Sequence, residues 1–247
     1  MFNGNHIQHL YFTMFRQFLF SALAVTLFLA GCGSNEPHKD DANKASTNGA
    51  DTSQPNAATN TQKDSTRNIV FFGNSLTAGY GVDPTEAFPA RIQEKIDSLS
   101  LPYKVINGGL SGETTAGGKE RIDWLLRQRV DVFVLELGGN DGLRGIPVTE
   151  TAKNLQVILD RVKAKYPAAK LMLAGMQVPP NMGSKYAVEF RAVYKQIADK
   201  NNIALVPFLL EGVGGIPDLN QADGIHPTPK GHRIVAENVW EVLKGLL

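Results

Sequence analysis

The stretch IVFFGNSLTAGYG, residues 69–81, joins a β-prone apolar run to a small, polar, glycine-rich segment. Its first four residues are branched or aromatic, which favours a β-strand. The segment that follows has too few large apolar side chains to build a core, and it places Ser75 directly after the strand. In open α/β sheets, ligands bind beyond the carboxyl ends of the strands. We therefore expect Ser75 to be presented at a strand-to-helix turn in a functional site.

Strand and helix patterns alternate from Arg67 to the end of the chain. The β-prone runs cover residues 68–73, 103–108, 130–138, 169–175 and 203–208. Between them lie longer amphipathic segments, and in residues 148–166 the apolar side chains recur at helical spacing. The strands are almost continuously apolar, which is typical of a parallel sheet covered on both faces. The alternation predicts a doubly wound α/β sandwich.

Composition excludes several classes of protein. The chain has 247 residues, with 25 basic against 24 acidic side chains, so no strong field attracts nucleic acid or an anionic membrane. We predict no nucleic-acid partner. The hydrophobic fraction of 43% fits an ordinary globular core. The single cysteine, Cys32, cannot form an internal disulfide.

The N-terminal region has the layout of a secretory signal. Arg16 precedes an apolar run that ends in Leu-Ala-Gly-Cys at residues 29–32. The run is about 14 residues long, shorter than the roughly 20 that a bilayer-spanning helix needs. The ending resembles the bacterial lipobox, which implies cleavage before Cys32 and acylation of its thiol. An uncleaved signal anchor with an incidental cysteine is the alternative. We expect residues 1–31 to be a lipoprotein signal peptide.

The segment after Cys32 predicts a tether. Residues 33–66 contain no aromatic residue and no Leu, Ile or Val. Such a composition buries too little apolar surface to offset chain entropy, so we predict a disordered tether over 32–66 and a folded domain over 67–247. The expected product is an exported bacterial lipoprotein, anchored by lipid on a membrane at the periplasmic face or in the outer membrane.

Glycine- and asparagine-rich clusters follow three of the predicted strands, and a fourth cluster precedes the last helix. They are GNSLTAG (73–79), GGLSGETTAGG (108–118), GGNDG (138–142) and DGIHP (223–227). By the strand-end rule, all four can meet at one edge of the sheet. The chemistry-bearing residues are therefore expected to converge there.

These clusters contain the parts of an acyl-transfer site. Ser75 needs a base to act as a nucleophile, and His226 could take its proton while Asp223 holds the imidazole. The backbone N–H groups of Ser75 and Gly112 and the amide of Asn140 are candidate oxyanion donors. Taken alone, Ser75 could be an ordinary turn or N-cap serine. Competing bases are less suitably placed, since they fall in the signal, the tether or the last helix: His6, His9, His38 and His232.

The blocks GNSLTAGYG, GGLSGETT, LGGNDGLRG and DGIHP resemble the four blocks of the SGNH (GDSL) hydrolase superfamily, in the same order. The last two are especially similar to its thioesterase I, lysophospholipase L1 and arylesterase branch. The resemblance implies Ser75 as nucleophile, Asp223 and His226 as the other triad members, and Gly112 and Asn140 as oxyanion donors. It also implies a three-layer α/β/α sandwich with a five-stranded parallel sheet, similar to flavodoxin.

One position departs from the family pattern. The family usually has Asp where this chain has Asn74. That position is not a triad member, so we expect the chemistry to survive and only the fine positioning of the turn to differ. Thr77 stands where the G-x-S-x-G motif requires glycine, which argues against an α/β-hydrolase elbow. Asp141, next to the oxyanion candidate, is interpreted as structural.

The expected reaction is hydrolysis of a small-molecule acyl ester, thioester or lysolipid through an acyl-enzyme on Ser75. Apolar loops over 175–186 and 208–219 could form an acyl groove or simply cover the sheet. The candidate substrate-binding residues are Leu110, Met176, Val178, Pro179 and Ile216.

No cofactor and no metal are expected. GETTAGGK (112–119) lacks the spacing of a phosphate-binding loop, and no set of His, Cys and carboxylates has metal-ligand spacing. We expect a monomer. A carbohydrate O-acetyl esterase and a non-catalytic, membrane-tethered binding module are the alternative functions.

Overall fold

The computed structural model describes residues 66–247. The predicted signal peptide, Cys32 and the tether up to residue 65 lie outside the described residues. The strands are Arg67–Gly73 (β1), Tyr103–Gly109 (β2), Val132–Glu136 (β3), Lys170–Ala174 (β4) and Ala204–Val206 (β5). The α-helices are Ser75–Ala78 (α1), Phe88–Ser98 (α2), Thr115–Leu125 (α3), Gly139–Leu143 (α4), Val148–Lys165 (α5), Ser184–Asn201 (α6) and Pro229–Leu243 (α7). Short 3-10 helices occupy Pro84–Glu86, Pro180–Met182, Pro217–Leu219 and Lys244–Leu246.

The five strands form one parallel sheet in the order β2-β1-β3-β4-β5. This is the flavodoxin-like order, so the predicted five-stranded parallel sheet is confirmed. Each strand core lies inside the run that the sequence predicted. Strands β3, β4 and β5 are shorter than their predicted runs, whereas β1 and β2 are each one residue longer.

Burial explains why β1 and β3 form the centre of the sheet. Residues Ile69 to Phe72 of β1 have no exposed surface, and all five residues of β3 are buried. A strand buried on both faces is stable only when helices cover both sides. The edge strand β2 instead mixes buried, half-buried and exposed positions.

The helices form two layers. The chain moves from β1 to β2 in one direction along the sheet and from β2 through β3 and β4 to β5 in the other. Because parallel crossovers are right-handed, the connections made in opposite directions lie on opposite faces. Packing agrees with this: α2 contacts α7, whereas α3 contacts α5 and α5 contacts α6. None of the helices within residues 66–247 has the length and apolarity that a bilayer crossing needs.

The direction of winding reverses beside β1 and β3, which leaves a crevice at the carboxyl ends of these two strands. The short helices α1 and α4 begin there. The end of β2 closes onto α1 so tightly that a Cβ added to Gly109 would lie 2.2 Å from the backbone nitrogen of Ala78. Glycine at this position therefore lets the loop after β2 approach the turn that carries Ser75.

Candidate active site

Three side chains that are remote in sequence form a continuous hydrogen-bonded chain at the crevice. Ser75 is the first residue of α1, and its Oγ lies 2.8 Å from Nε2 of His226, 151 residues later. Nδ1 of His226 lies 2.6 Å from Oδ2 of Asp223. The arrangement lets the imidazole take a proton from the serine hydroxyl while the carboxylate holds the ring. The structure thus brings together the three residues that the sequence nominated as a triad.

The carboxylate of Asp223 is held in place by the turn that it begins. Its Oδ1 accepts hydrogen bonds from the backbone N–H of Ile225 at 2.9 Å and from that of His226 at 3.0 Å. The pKa of Asp223 is lowered to about 2, mainly by the backbone N–H of His226, then by the His226 side chain and the N–H of Ile225. Asp223 is therefore ionised at neutral pH and accepts from the Nδ1–H of His226.

The turn that carries Ser75 is built around a buried carboxyl group. Glu136, the last residue of β3, has no exposed surface. It accepts from the backbone N–H of Asn74 at 3.1 Å, from Nδ2 of Asn74 at 2.8 Å and from Oγ1 of Thr77 at 2.8 Å. Burial raises the pKa of Glu136 to about 7, while these hydrogen bonds act in the opposite direction. Sequence reasoning missed Glu136, although an acidic residue inside the apolar run VFVLE is a usable signal.

Asn74 also caps α1. Its Oδ1 accepts from the backbone N–H of Leu76 at 2.9 Å, and Gly79, with a left-handed φ of 77°, caps the C-terminal end of α1. An oxygen at the N-cap satisfies one of the free N–H groups of the first helical turn. Four helical residues are too few to be stable alone, so the cap and Glu136 fix the backbone that presents Ser75.

The two predicted oxyanion loops are joined to each other. Nδ2 of Asn140 donates to the backbone oxygen of Glu113 at 2.9 Å, and Nη2 of Arg144 donates to that of Gly112 at 3.2 Å. An amide nitrogen carries two hydrogens, so Asn140 keeps one for a ligand. Gly112 adopts a left-handed φ of 80°. Asn140 and Ser75 border the same cavity.

Asp141 has no exposed surface and is bonded to the start of α3. Its carboxylate accepts from the backbone N–H of Thr115 at 2.8 Å and from the hydroxyl of Thr115 at 2.5 Å. These bonds tie α4 to the start of α3. The geometry agrees with the structural interpretation of Asp141.

A cavity of about 570 Å³ opens beside Ser75 and His226. Of the five candidate substrate-binding residues, Met176, Val178 and Pro179 line it. Leu110 and Ile216 lie outside the lining, and both are exposed. Pro180, Phe208 and Leu210, from the two apolar loops predicted to border a groove, also line the cavity, and three apolar residues outside those loops join them: Leu76, Leu143 and Ile225.

His232, the competing base within the last helix, is buried away from this chain of hydrogen bonds. Its Nδ1 accepts from the backbone N–H of Phe88 at 3.3 Å. Burial lowers the pKa of His232 to about 4, so the ring is neutral near pH 7. His232 therefore has a packing role.

In the part of the chain that the structure describes, no group of three or more His, Cys, Asp or Glu side chains is arranged to hold a metal ion.

The sequence matches the GDSL-like Lipase/Acylhydrolase family over residues 71–234. Esterase TesA of Pseudomonas aeruginosa is 40% identical over 188 residues, which are 76% of this chain and 92% of that protein. Thioesterase 1/protease 1/lysophospholipase L1 of Escherichia coli is 36% identical over 180 residues, 72% of this chain and 84% of that protein. A crystal structure of TesA superposes with a TM-score of 0.71 at 40% identity, covering 73% of this chain and 100% of that chain.

Proposed function

We propose that Ser75 is the nucleophile, with His226 as the general base and Asp223 as the residue that orients it. The chain belongs to the GDSL-like lipase/acylhydrolase family and is a serine esterase or thioesterase. The observation that supports these roles is the unbroken path from Oγ of Ser75 through both nitrogens of His226 to Asp223. A serine without such a partner is a weak nucleophile at neutral pH.

The reaction proceeds in two steps. Nε2 of His226 takes the proton of Ser75 as Oγ attacks the carbonyl carbon, and the same proton then passes to the leaving alcohol or thiol. The acyl group remains on Ser75. Water, deprotonated by His226, attacks this ester and releases the acid, which restores the serine hydroxyl.

The negative charge on the carbonyl oxygen requires fixed donors. We assign them to the backbone N–H groups of Ser75 and Gly112 and to the free amide hydrogen of Asn140. The bond from Asn140 to the backbone of Glu113 supports this assignment, because it orients the amide before substrate arrives. Donors that are already in place stabilise the charge that develops on the oxygen in the transition state, because no free energy is spent on moving them.

The cavity supports an acyl substrate. Its volume of about 570 Å³ lies within the usual range for small-molecule sites, and its side chains beyond the triad are mainly apolar. We propose that the acyl chain of an ester, thioester or lysolipid lies against Met176, Val178 and Leu210, with the carbonyl at Ser75.

We further propose that the protein is an exported lipoprotein, monomeric and anchored on a membrane through acylated Cys32. The Leu-Ala-Gly-Cys ending at residues 29–32 supports this. Labelling of expressing bacteria with a radioactive fatty acid tests it, since Cys32→Ala should abolish incorporation. Retained incorporation in Cys32→Ala would contradict the anchor.

The catalytic proposal is tested by reacting the purified protein with a fluorophosphonate and locating the adduct by mass spectrometry. A single adduct on Ser75, with hydrolysis of medium-chain p-nitrophenyl esters and acyl thioesters, supports it. An adduct on another serine contradicts the assignment. Faster turnover of acetylated sugars than of acyl esters would favour a carbohydrate O-acetyl esterase, and no adduct with no turnover would favour a binding module.

A further inference from the structure

Within residues 66–247, the hydrogen bonds to the carboxyl group of Glu136 all come from the turn that carries Ser75. Strand β3 lies beside β1, with Glu136 in register with Gly73. Its three side-chain hydrogen bonds all come from Asn74 and Thr77, on the two sides of Ser75. Among residues 66–247 it takes part in no salt bridge. A buried carboxyl group without a cation is costly unless hydrogen bonds compensate, so these bonds are the reason that it is tolerated.

The amide of Asn74 is used at both of its ends. Its Oδ1 accepts from the backbone N–H of Leu76, and its Nδ2 donates to Oε1 of Glu136 at 2.8 Å. An aspartate at position 74 could accept from Leu76 in the same way. Its second oxygen would then face Oε1 of Glu136, and two acceptors in contact need a shared proton.

We propose that Asn74 and Glu136 form a positioning pair, one amide facing one carboxylate, that fixes the orientation of Ser75, and that either residue can supply either group. This inference rests on the proposed role of Ser75 as the nucleophile. Glu136 is hydrogen-bonded to Asn74 and Thr77 and acts through the turn, whereas Oδ1 of Asn74 also accepts from Oγ of Ser75 at 3.5 Å.

Exchanging the two groups preserves every hydrogen bond. In Asn74→Asp/Glu136→Gln, one carboxylate oxygen at 74 accepts from Leu76 and the other accepts from the glutamine amide. In the parent, Oε2 of Glu136 accepts from the backbone N–H of residue 74 and from Thr77, and the glutamine oxygen takes over both of these bonds. Each single substitution instead creates a mismatch. In Asn74→Asp, two carboxylate oxygens face each other and neither can donate. In Glu136→Gln, two amide nitrogens face each other and neither can accept.

Two other titratable groups face this region, and both stay constant across the variants. Tyr194, on α6, donates its hydroxyl to the backbone oxygen of Leu137, and burial raises its pKa well above the usual value. His226 is hydrogen-bonded to Ser75, the residue that follows Asn74. Neither Tyr194 nor His226 is substituted, so the parent profile is the reference for each variant.

The experiment measures kcat and KM of the full chain on a p-nitrophenyl ester from pH 5 to 9 for both single variants and the exchange variant. Loss of the carboxylate predicts that Glu136→Gln lowers kcat by roughly 10- to 100-fold above pH 7, where the parent group is ionised, with little change in KM. Asn74→Asp should stay within about 3-fold of the parent at pH 6, where the pair shares a proton. It should then fall by roughly 10-fold or more towards pH 9 as that proton leaves.

The exchange variant is decisive, because it should recover kcat to within about 3-fold of the parent and lose the alkaline decline. A kcat equal to the product of the two single losses would overturn the proposal. So would an Asn74→Asp profile that follows the parent up to pH 9. A merely structural role for Glu136 predicts no recovery, since the exchange carries both substitutions.

A second pair of variants covers the case in which a substitution at 136 prevents folding. Thr77→Val removes one donor to Glu136 at nearly constant volume, whereas Thr77→Ser keeps the hydroxyl. We expect kcat to fall about 10-fold in the first and to remain near the parent in the second. Equal kcat values in the two would overturn the proposal. Ser75→Ala separates the two proposals. If Ser75→Ala is inactive and the exchange variant shows no recovery of kcat, only the Asn74–Glu136 pair is refuted. If Ser75→Ala is fully active, Ser75 is not the nucleophile.

Discussion

The phenol ring of Tyr80 lies against the imidazole of His226, with the ring centroids 4.6 Å apart and the planes inclined by 43°. The backbone oxygen of Tyr80 accepts from Nε2 of Gln221 at 2.7 Å, which ties the segment after α1 to the loop that carries Asp223 and His226. An aromatic face beside an imidazole limits rotation of the ring and stabilises the cation that forms during proton transfer. Tyr80 is thus a neighbour of the proposed base that the sequence motifs did not reveal.

Removing this ring should slow turnover without abolishing it. We expect Tyr80→Ala to lower kcat by about 3- to 10-fold, because cation–π contacts at partly exposed sites are worth roughly 1 kcal/mol. Tyr80→Phe is the matched control and should retain nearly full kcat. Steady-state kinetics on one ester checks both, and equal kcat values for Tyr80→Ala and the parent would show that the ring contact is incidental.

The proposed triad predicts much larger effects. Ser75→Ala and His226→Ala should each lower kcat by roughly 10⁴- to 10⁶-fold, and the double variant should be no slower than either, because the residues act as a unit. The control is His232→Gln, which changes the other histidine of the folded region and should retain activity. Near-parental turnover by Ser75→Ala would exclude this serine as the nucleophile.

The amide of Asn140 is expected to matter mainly in the transition state. Asn140→Ala should reduce kcat by about 10²- to 10³-fold with a small change in KM, which is typical for loss of one oxyanion donor. Thermal unfolding of the same variant checks that the bond to Glu113 is not needed for folding. A loss confined to KM would indicate a role in substrate binding instead.

Burial of His232 makes stability depend on pH. Its pKa is lowered from 6.5 to about 4 in the folded state, so between these values the unfolded chain binds a proton that the folded chain does not. The free energy of unfolding should therefore decrease as pH falls through this window, by on the order of 3 kcal/mol at its lower end. Urea unfolding of the parent and of His232→Gln at pH 7 and pH 4.5 isolates the contribution of this ring. The variant should lose less stability than the parent, and equal losses would contradict the assignment.

The sequence predicted the strands well because β1 and β3 are buried on both faces and therefore consist of uninterrupted apolar residues. It placed Ser75 at a strand-to-helix turn but did not give the bounds of the short helices α1 and α4. Each has only four or five residues and contains or adjoins glycine, so its helical state depends on contacts far along the chain. For α1 these contacts come from Glu136, and for α4 they come from Thr115.

The sequence motifs predicted that the proposed triad residues share one site, because each block follows a strand or precedes a helix at the same edge of the sheet. The substrate-binding candidates were less well placed. Met176 and Val178 line the cavity, whereas Leu110 and Ile216 do not. Adjacency to a motif gives the position of a loop residue but not the direction of its side chain, which depends on how the loop packs.

The N-terminal and C-terminal ends of the described fold lie together, at the edge of the sheet opposite the crevice. Arg67 is in register with Tyr103, and the hydroxyl of Tyr103 donates to the backbone oxygen of Leu247 at 2.8 Å. At about 3.3 Å per residue, the length of β1 separates this edge from Ser75 by roughly 20 Å. A fluorescent protein fused at either end, or a resin coupled there, would consequently leave the mouth of the cavity open to bulk solution.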